Sequence, residues 1–157
     1  MKIKGLFILF FISNIFFCDL YAQKEVLSKK SFYEALASND LNKINDQIKL
    51  MENLTNYEAF NGAMQLRKSE YIKALNEKIS TFKSGRQKLE NAISKDHENA
   101  EFRFLRLMIQ EHAPKIVNYF SDIETDCKLI KLKFENLPIL VKNAIIDYCK
   151  YSKNLKL

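Results

Sequence analysis

The sequence predicts an all-α protein built of antiparallel helical hairpins, about six or seven helices in all, and three observations predict it. First, 157 residues contain 3 Gly and 2 Pro, too few turn formers for β-hairpins, sandwiches or Gly-rich phosphate loops. Second, apolar residues recur at three- and four-residue spacing in one segment after another. Third, the segment boundaries carry helix-start and helix-stop residues. With 47% apolar and 28% charged residues the chain lies in the globular range, and its length suits one domain.

The first 22 residues form a separate unit. Lys2 and Lys4 make a positive start, Leu6 to Phe17 is a strongly apolar run, and Asp19 to Ala22 is a short polar end closed by a small residue. This is the shape of a secretory signal peptide, with the expected cut between Ala22 and Gln23. The run falls short of the roughly 20 apolar residues a membrane-spanning helix needs. A competing reading makes Cys18 the lipidated residue of a lipoprotein signal, although Phe17 stands where that cut wants a small side chain. Residues 23–157 are then a single all-α domain, periplasmic or extracellular, with no transmembrane segment after cleavage. Loss of two lysines and one aspartate lowers the formal charge from +6 to +5. Basic and acidic residues alternate along the chain, whereas a nucleic-acid binder clusters its basic residues on one face. No nucleic-acid partner is expected.

The elements follow in order. Ser31 with Glu34 reads as a capping box opening a helix whose apolar side holds Phe32, Leu36 and Ala37. Asp40 caps a second helix, with Leu41, Ile44, Ile48 and Met51 at helical spacing. Thr55 with Glu58 is another capping box, followed by Tyr57, Phe60, Ala63, Met64 and Tyr71. A fourth helix spans about Asn76 to Lys95, with Ile79, Phe82, Leu89, Ala92 and Ile93 inward. A fifth runs from about Asn99 to His112 and stops at Pro114. A sixth covers about Ser121 to Asn136, with Ile123, Cys127, Ile130 and Phe134 on one side. Pro138 suits the first turn of a seventh, which reaches about Ser152 with Val141, Ile145, Tyr148 and Cys149 inward.

The stretch from Gly85 has a small, large, small, turn rhythm (Gly85, Leu89, Ala92, then Lys95 to Ala100) that resembles the second half of a tetratricopeptide (TPR) repeat. More specifically, Ala92, Ile93, Asn99, Glu101, Arg103 to Leu107, Ile109, Gln110 and Pro114 resemble a segment shared by a family of small exported TPR-like proteins of Gram-negative bacteria. His97 stands where that family has a proline. The resemblance is strong over the middle third of the chain and implies a TPR-like right-handed array and an exported compartment. It implies no catalytic residue.

The fifth helix poses the functional question. At 100° per residue, Phe102, Leu105 and Ile109 fall on one side and Phe104, Leu107 and Met108 on the other, so the helix is expected to lie between neighbours. Arg103, Arg106 and Gln110 share a strip about 60° wide between these faces. Buried arginines need carboxylates, and Asp122 and Asp126, four apart on one face, are the nearest; Glu101 is available locally. One reading of the strip is therefore a structural ion-pair lock to Asp122, Asp126 or Glu101. The other is a clamp in which Arg103, Arg106 and Gln110 grip an acidic peptide terminus or another anion.

Catalytic signals are sparse. His97 falls in a loop and His112 at a helix end, where a histidine complements the helix dipole. HExxH, CxxC, GxSxG and Gly-rich phosphate motifs do not occur in the sequence. Asp122, Glu124 and Asp126 lack the glycine and late glutamate of a calcium loop. No catalytic residue, metal or cofactor is predicted. Cys127 and Cys149 lie at matching heights on either side of the turn near Leu137 and Pro138. Two readings stay open: a disulfide closing a loop of about 20 residues, contributing about 3 kcal/mol, or two buried free thiols. The apolar stretch from Phe134 to Ile146 reads as core, and Asn53-Leu54-Thr55 matches a glycosylation acceptor. The expected role is a protein-interaction adaptor or scaffold with an unknown protein partner. The alternative is a small periplasmic, hydrolase-like enzyme whose site is not visible in sequence.

Overall fold

A computed structural model describes residues 29–157 apart from Asn53 and Thr55. The expected leader at 1–22, the cut after Ala22, Cys18, and the assignments at Asn53 and Thr55 lie outside the described residues. The described chain is all-α and contains no strand. Seven helices follow one another: α1 (29–37), α2 (Leu41–Glu52), α3 (Glu58–Ser69), α4 (Leu75–Lys95), α5 (Ala100–His112), α6 (Ile123–Lys133) and α7 (Ile139–Cys149), with short 3-10 turns at Lys115–Val117 and Phe134–Asn136.

The cap expected at Asp40 forms, and a second forms at Asn99, the expected start of the fifth helix. Asp40 Oδ1 accepts from the backbone N–H groups of Asn42 at 2.9 Å and Lys43 at 3.4 Å, and the Asn99 side chain accepts from the Phe102 N–H at 3.1 Å. Both satisfy donors that the first turn leaves free. Ser31 differs from expectation. Residues 29 and 30 are already helical, so Ser31 lies inside α1 and its Oγ accepts from Gln47 Nε2 instead. The helix extends backwards because Lys29 is anchored, its ammonium 2.9 Å from Glu101 and 5.5 Å from the Phe60 ring centroid. The third helix also stops earlier than its apolar pattern suggests. Ser69 Oγ donates to the Leu66 carbonyl at 2.6 Å, a back-bond that competes with helix continuation, and Tyr71 turns away to reach Asn39.

The apolar side chains form two clusters, one on each side of α5. Leu105 and Ile109 enter the first with Phe32, Ile44, Phe60, Met64 and Leu89, and Phe102 packs against it. Phe104 and Leu107 enter the second with Cys127, Ile130, Val141, Ile145 and Leu155. Phe60 organises the first cluster through edge-on contacts with Phe32 at 5.0 Å and Phe102 at 6.0 Å between centroids. Leu41 and Ile79, expected inward, stand 38% and 42% exposed. Each lies near the start of its helix, facing solvent.

Two glycines set the α3–α4 crossing. A Cβ on Gly62 would lie 2.7 Å from the Gly85 carbonyl oxygen and 2.7 Å from the Leu89 nitrogen. One on Gly85 would meet the Gly62 oxygen and the Leu66 nitrogen at 2.8 Å. The helices thus touch backbone to backbone, and only hydrogen fits between them. Gly62→Ala and Gly85→Ala are each expected to lower stability by about 1–3 kcal/mol, the cost of overpacking a close contact. Chemical denaturation beside the exposed control Ser80→Ala checks this, and a variant as stable as the control contradicts the crossing geometry.

Candidate functional site

The strip on α5 is a buried polar network. Arg106, 3% exposed, donates from Nε to Asp126 Oδ2 and from Nη2 to Asp126 Oδ1, both at 2.7 Å. This is a bidentate pair with a carboxylate that is itself fully buried. The remaining guanidinium nitrogen, Nη1, donates to Glu90 Oε2 at 2.8 Å. Arg103 donates to Asp126 at 3.2 Å and twice to the His97 carbonyl, at 2.9 and 3.1 Å. Gln110 Nε2 reaches Asp122 Oδ2 at 3.2 Å, and its Oε1 is buried with no protein partner among the described residues.

Two members of this network were invisible in the sequence. Glu90 comes from α4, and the Tyr119 hydroxyl donates to its other oxygen at 2.6 Å. The Arg86 guanidinium lies 4.5 Å from the Tyr119 ring centroid. Burial and the Glu90 carboxylate push the Tyr119 hydroxyl well up, so it remains the donor. Burial also raises the Asp126 carboxyl, against the pull of Arg106 and Arg103. Arg106 is disfavoured by burial, yet its hydrogen bonds to Asp126 hold its affinity for the proton above the ordinary value. Burial would raise Asp122 too, but Ser121, Gln110 and the two arginines keep it below its usual range.

These contacts bear directly on the clamp. Arg106 and Gln110 are buried, and the donors of both arginines already face internal acceptors. Glu101, considered as a partner for them, points the other way: it accepts from Lys29 at 2.9 Å and from the Tyr33 hydroxyl at 3.0 Å. Its place at the start of α5 sends the side chain toward α1, away from α6. Cys127 and Cys149 are free thiols. Both belong to the second cluster, and burial raises both, Cys127 to about 11.

A concave feature lies elsewhere. A groove of about 560 Å³ runs between α1 and α7 over α5. Phe104, Met108 and Ile109 form its floor; Tyr33 and Leu36 line one wall, and Leu140, Ala144 and Tyr148 the other. Phe104 ties the walls together, with ring centroids 6.2 Å from Tyr33 and 5.6 Å from Tyr148. The burial of α7 corrects the reading of its apolar stretch as core. Only Val141 and Ile145 of that helix are buried, while Ile139 is 71% exposed and Ile146 45%. A helix apolar nearly all round, with one side buried, is the signal that could have revealed an open apolar face.

Polar groups fix the far wall. Glu111, beside the groove at the end of α5, accepts from the Tyr148 hydroxyl at 2.6 Å, from Ser152 Oγ at 2.9 Å, and from the Asn154 N–H and side-chain amide at 3.0 and 2.6 Å. Just beyond, Leu155 is fully buried in the second cluster, so one carboxylate holds both a wall residue and the C-terminal tail. His112 lies at the groove rim. Its Nδ1 is 2.8 Å from the Met108 carbonyl, which places the proton on that nitrogen, and 3.5 Å from the Tyr148 hydroxyl. Among the described residues, no group of three or more His, Cys, Asp or Glu side chains could hold a metal ion together, and no helix is long and apolar enough to cross a membrane.

The fold thus defines an all-α chain with a buried arginine network and an apolar groove. No protein-family model matches it, nor does any curated protein or solved structure.

Asp126→Leu takes away the bidentate partner of buried Arg106, leaving Glu90 and the more distant Asp122 at 3.5 Å, and is expected to cost about 3–5 kcal/mol. Adding Arg106→Met recovers a large part of that loss, because the orphaned charge goes with it. Urea denaturation of the single and double variants measures both effects. Glu111 gives a pH signature. Burial would raise its carboxyl, but the hydrogen bonds from Tyr148, Asn154 and Ser152 hold it below its ordinary 4.5. Its stabilisation is therefore complete above that value and lost as pH falls through the lower folded-state value. Glu111→Gln is expected to be less stable than wild type at neutral pH, with the gap closing as pH falls below the ordinary 4.5. Denaturation midpoints across pH 3–7 test this, and a pH-independent gap would contradict it.

Proposed function

We propose that this chain is an exported, non-catalytic interaction module that receives an apolar segment of a protein partner in the groove between α1 and α7. The observation that carries the reading is the groove itself: a cleft between two helical walls over Phe104, Met108 and Ile109, of which Met108 is partly exposed. The arginine strip has a different role in this proposal. It braces α5, the groove floor, against α4 and α6, in place of clamping an anion. The described helices are compatible with a TPR-like right-handed array, and the exported TPR-like family that the middle third resembles supports both that architecture and the compartment. The leader-like residues 1–22 support export.

A hydrolytic role has less support. It would need a nucleophile beside His112, whose neighbours are the Met108 carbonyl and the Tyr148 hydroxyl. Burial and Glu111 push that hydroxyl well up, so it stays protonated, and it already donates to Glu111.

One preparation tests both parts of the proposal. A photo-cross-linking residue is placed at Tyr151, on the groove rim and 80% exposed, or at Lys128, on the outer face of α6. The protein is then recovered from its native envelope fraction. The expected result is an intact mass beginning at Gln23 and a discrete protein adduct from position 151 alone, lost when Ala144→Trp fills the groove. A mass retaining lipidated Cys18 would place the chain on a membrane. Identical adducts from both positions, or none from 151, would remove the groove as the docking site.

A further inference from the structure

We infer that the groove's occupant is an amphipathic helix of a protein partner, with an apolar stripe flanked by lysine or arginine. The inference rests on the docking reading above and adds the partner's chemistry. Its first support is the sign of the rim. The chain as a whole is basic, at +6, yet the charged groups around the groove are Glu34, Glu70 and Asp147 against Arg67, with His112 beside them. Arg67 is engaged. It pairs with Glu70, donates to the Ser38 carbonyl and to Asn39 Oδ1 at 3.1 and 3.0 Å, and lies over the Tyr71 ring.

The two acids on opposite walls are the useful ones. Glu34 on α1 sits 3.9 Å from Lys30, and Asp147 on α7 sits 2.6 Å from Lys150. Both pairs are short-range along their own helices, and all four side chains are more than 60% exposed. Such exposed pairs are weak, so an incoming cation can take either carboxylate at little cost. A basic residue on each flank of an apolar stripe would meet Glu34 on one side and Asp147 on the other. Charges placed this way chiefly set orientation and partner choice.

The second support concerns size. The stretch of α7 and its end that lines the groove runs from Leu140 to Tyr151, roughly 15 Å at the helical rise. A small ligand seated over Phe104 would leave much of that stretch bare. A helix laid along α7, presenting side chains at i, i+3, i+4 and i+7, covers it.

The test uses the purified protein and three fluorescent helical peptides of about 15 residues, long enough to hold a helix. The first has a leucine stripe flanked by lysines. The second has glutamates in place of those lysines. The third has the first peptide's composition with its leucines scrambled off the stripe. Anisotropy titration is expected to show the lysine peptide binding about tenfold or more tighter than either of the others, with an affinity that falls as salt rises. The paired reversal Glu34→Lys with Asp147→Lys, at exposed positions that do not threaten folding, should invert the preference toward the glutamate peptide. If the lysine and glutamate peptides bind equally and Ala144→Trp weakens both, the charge rule fails while the groove stands. Equal binding of the scrambled peptide overturns the helix, leaving cationic amphiphilic character alone as the determinant. If no peptide binds, or if binding ignores Ala144→Trp in protein that still melts cooperatively, the groove reading falls with it. A dimer in sedimentation that Ala144→Trp dissolves would make a second copy the occupant and overturn the inference.

Discussion

The bidentate pair between Arg106 and Asp126 is the constraint around which the rest of the molecule is arranged. Each partner is sealed from water, so each depends on the other for solvation. With Glu90 on a third nitrogen, the guanidinium joins α4, α5 and α6 at one point. Its planar fork prescribes the distance and angle at which the three helices meet. A hydrophobic substitute of similar volume could stabilise as well or better, but it would accept a range of rotations that a fork does not. The two apolar clusters on either side of α5 supply most of the burial, and the ion pair decides how they are oriented.

That orientation creates the groove. With α5 held against α4 and α6 along its polar strip, Phe104, Met108 and Ile109 are left facing the gap between α1 and α7. Glu101 and Glu111, near opposite ends of α5, then tie in the flanking segments: one through Lys29 and Tyr33, the other through Tyr148 and the tail. The same helix is thus pinned along one edge by arginines and at its ends by carboxylates, with the groove floor between them.

Helix content and the two-sided character of α5 were legible in the sequence, because 3.6-residue periodicity is a local property. The Asp40 cap was legible for the same reason. Ser31 was misread because the anchor that lengthens α1, the Lys29–Glu101 pair, spans 72 residues. The acids at 122 and 126 stood out as four apart on one face, but nothing local distinguishes Glu90 from the exposed charges around it. Its role depends on Tyr119 arriving from a linker beyond Pro114. The groove was hidden for a related reason. Periodicity can show that α7 is apolar on several sides, but how many of those sides find neighbours depends on where the preceding chain has placed α1 and α5.

The contact between Gly62 and Gly85 has a further consequence. Across most helix interfaces a gain in bulk on one side can be offset by a loss on the other, and lineages drift through such exchanges while the backbone stays put. Here both positions already carry the smallest side chain available, and each is blocked by main chain, not by a group that could itself shrink. That evolutionary escape is closed: either site can change only if the helices separate. The α3–α4 crossing is therefore a point of this architecture with little freedom to diverge.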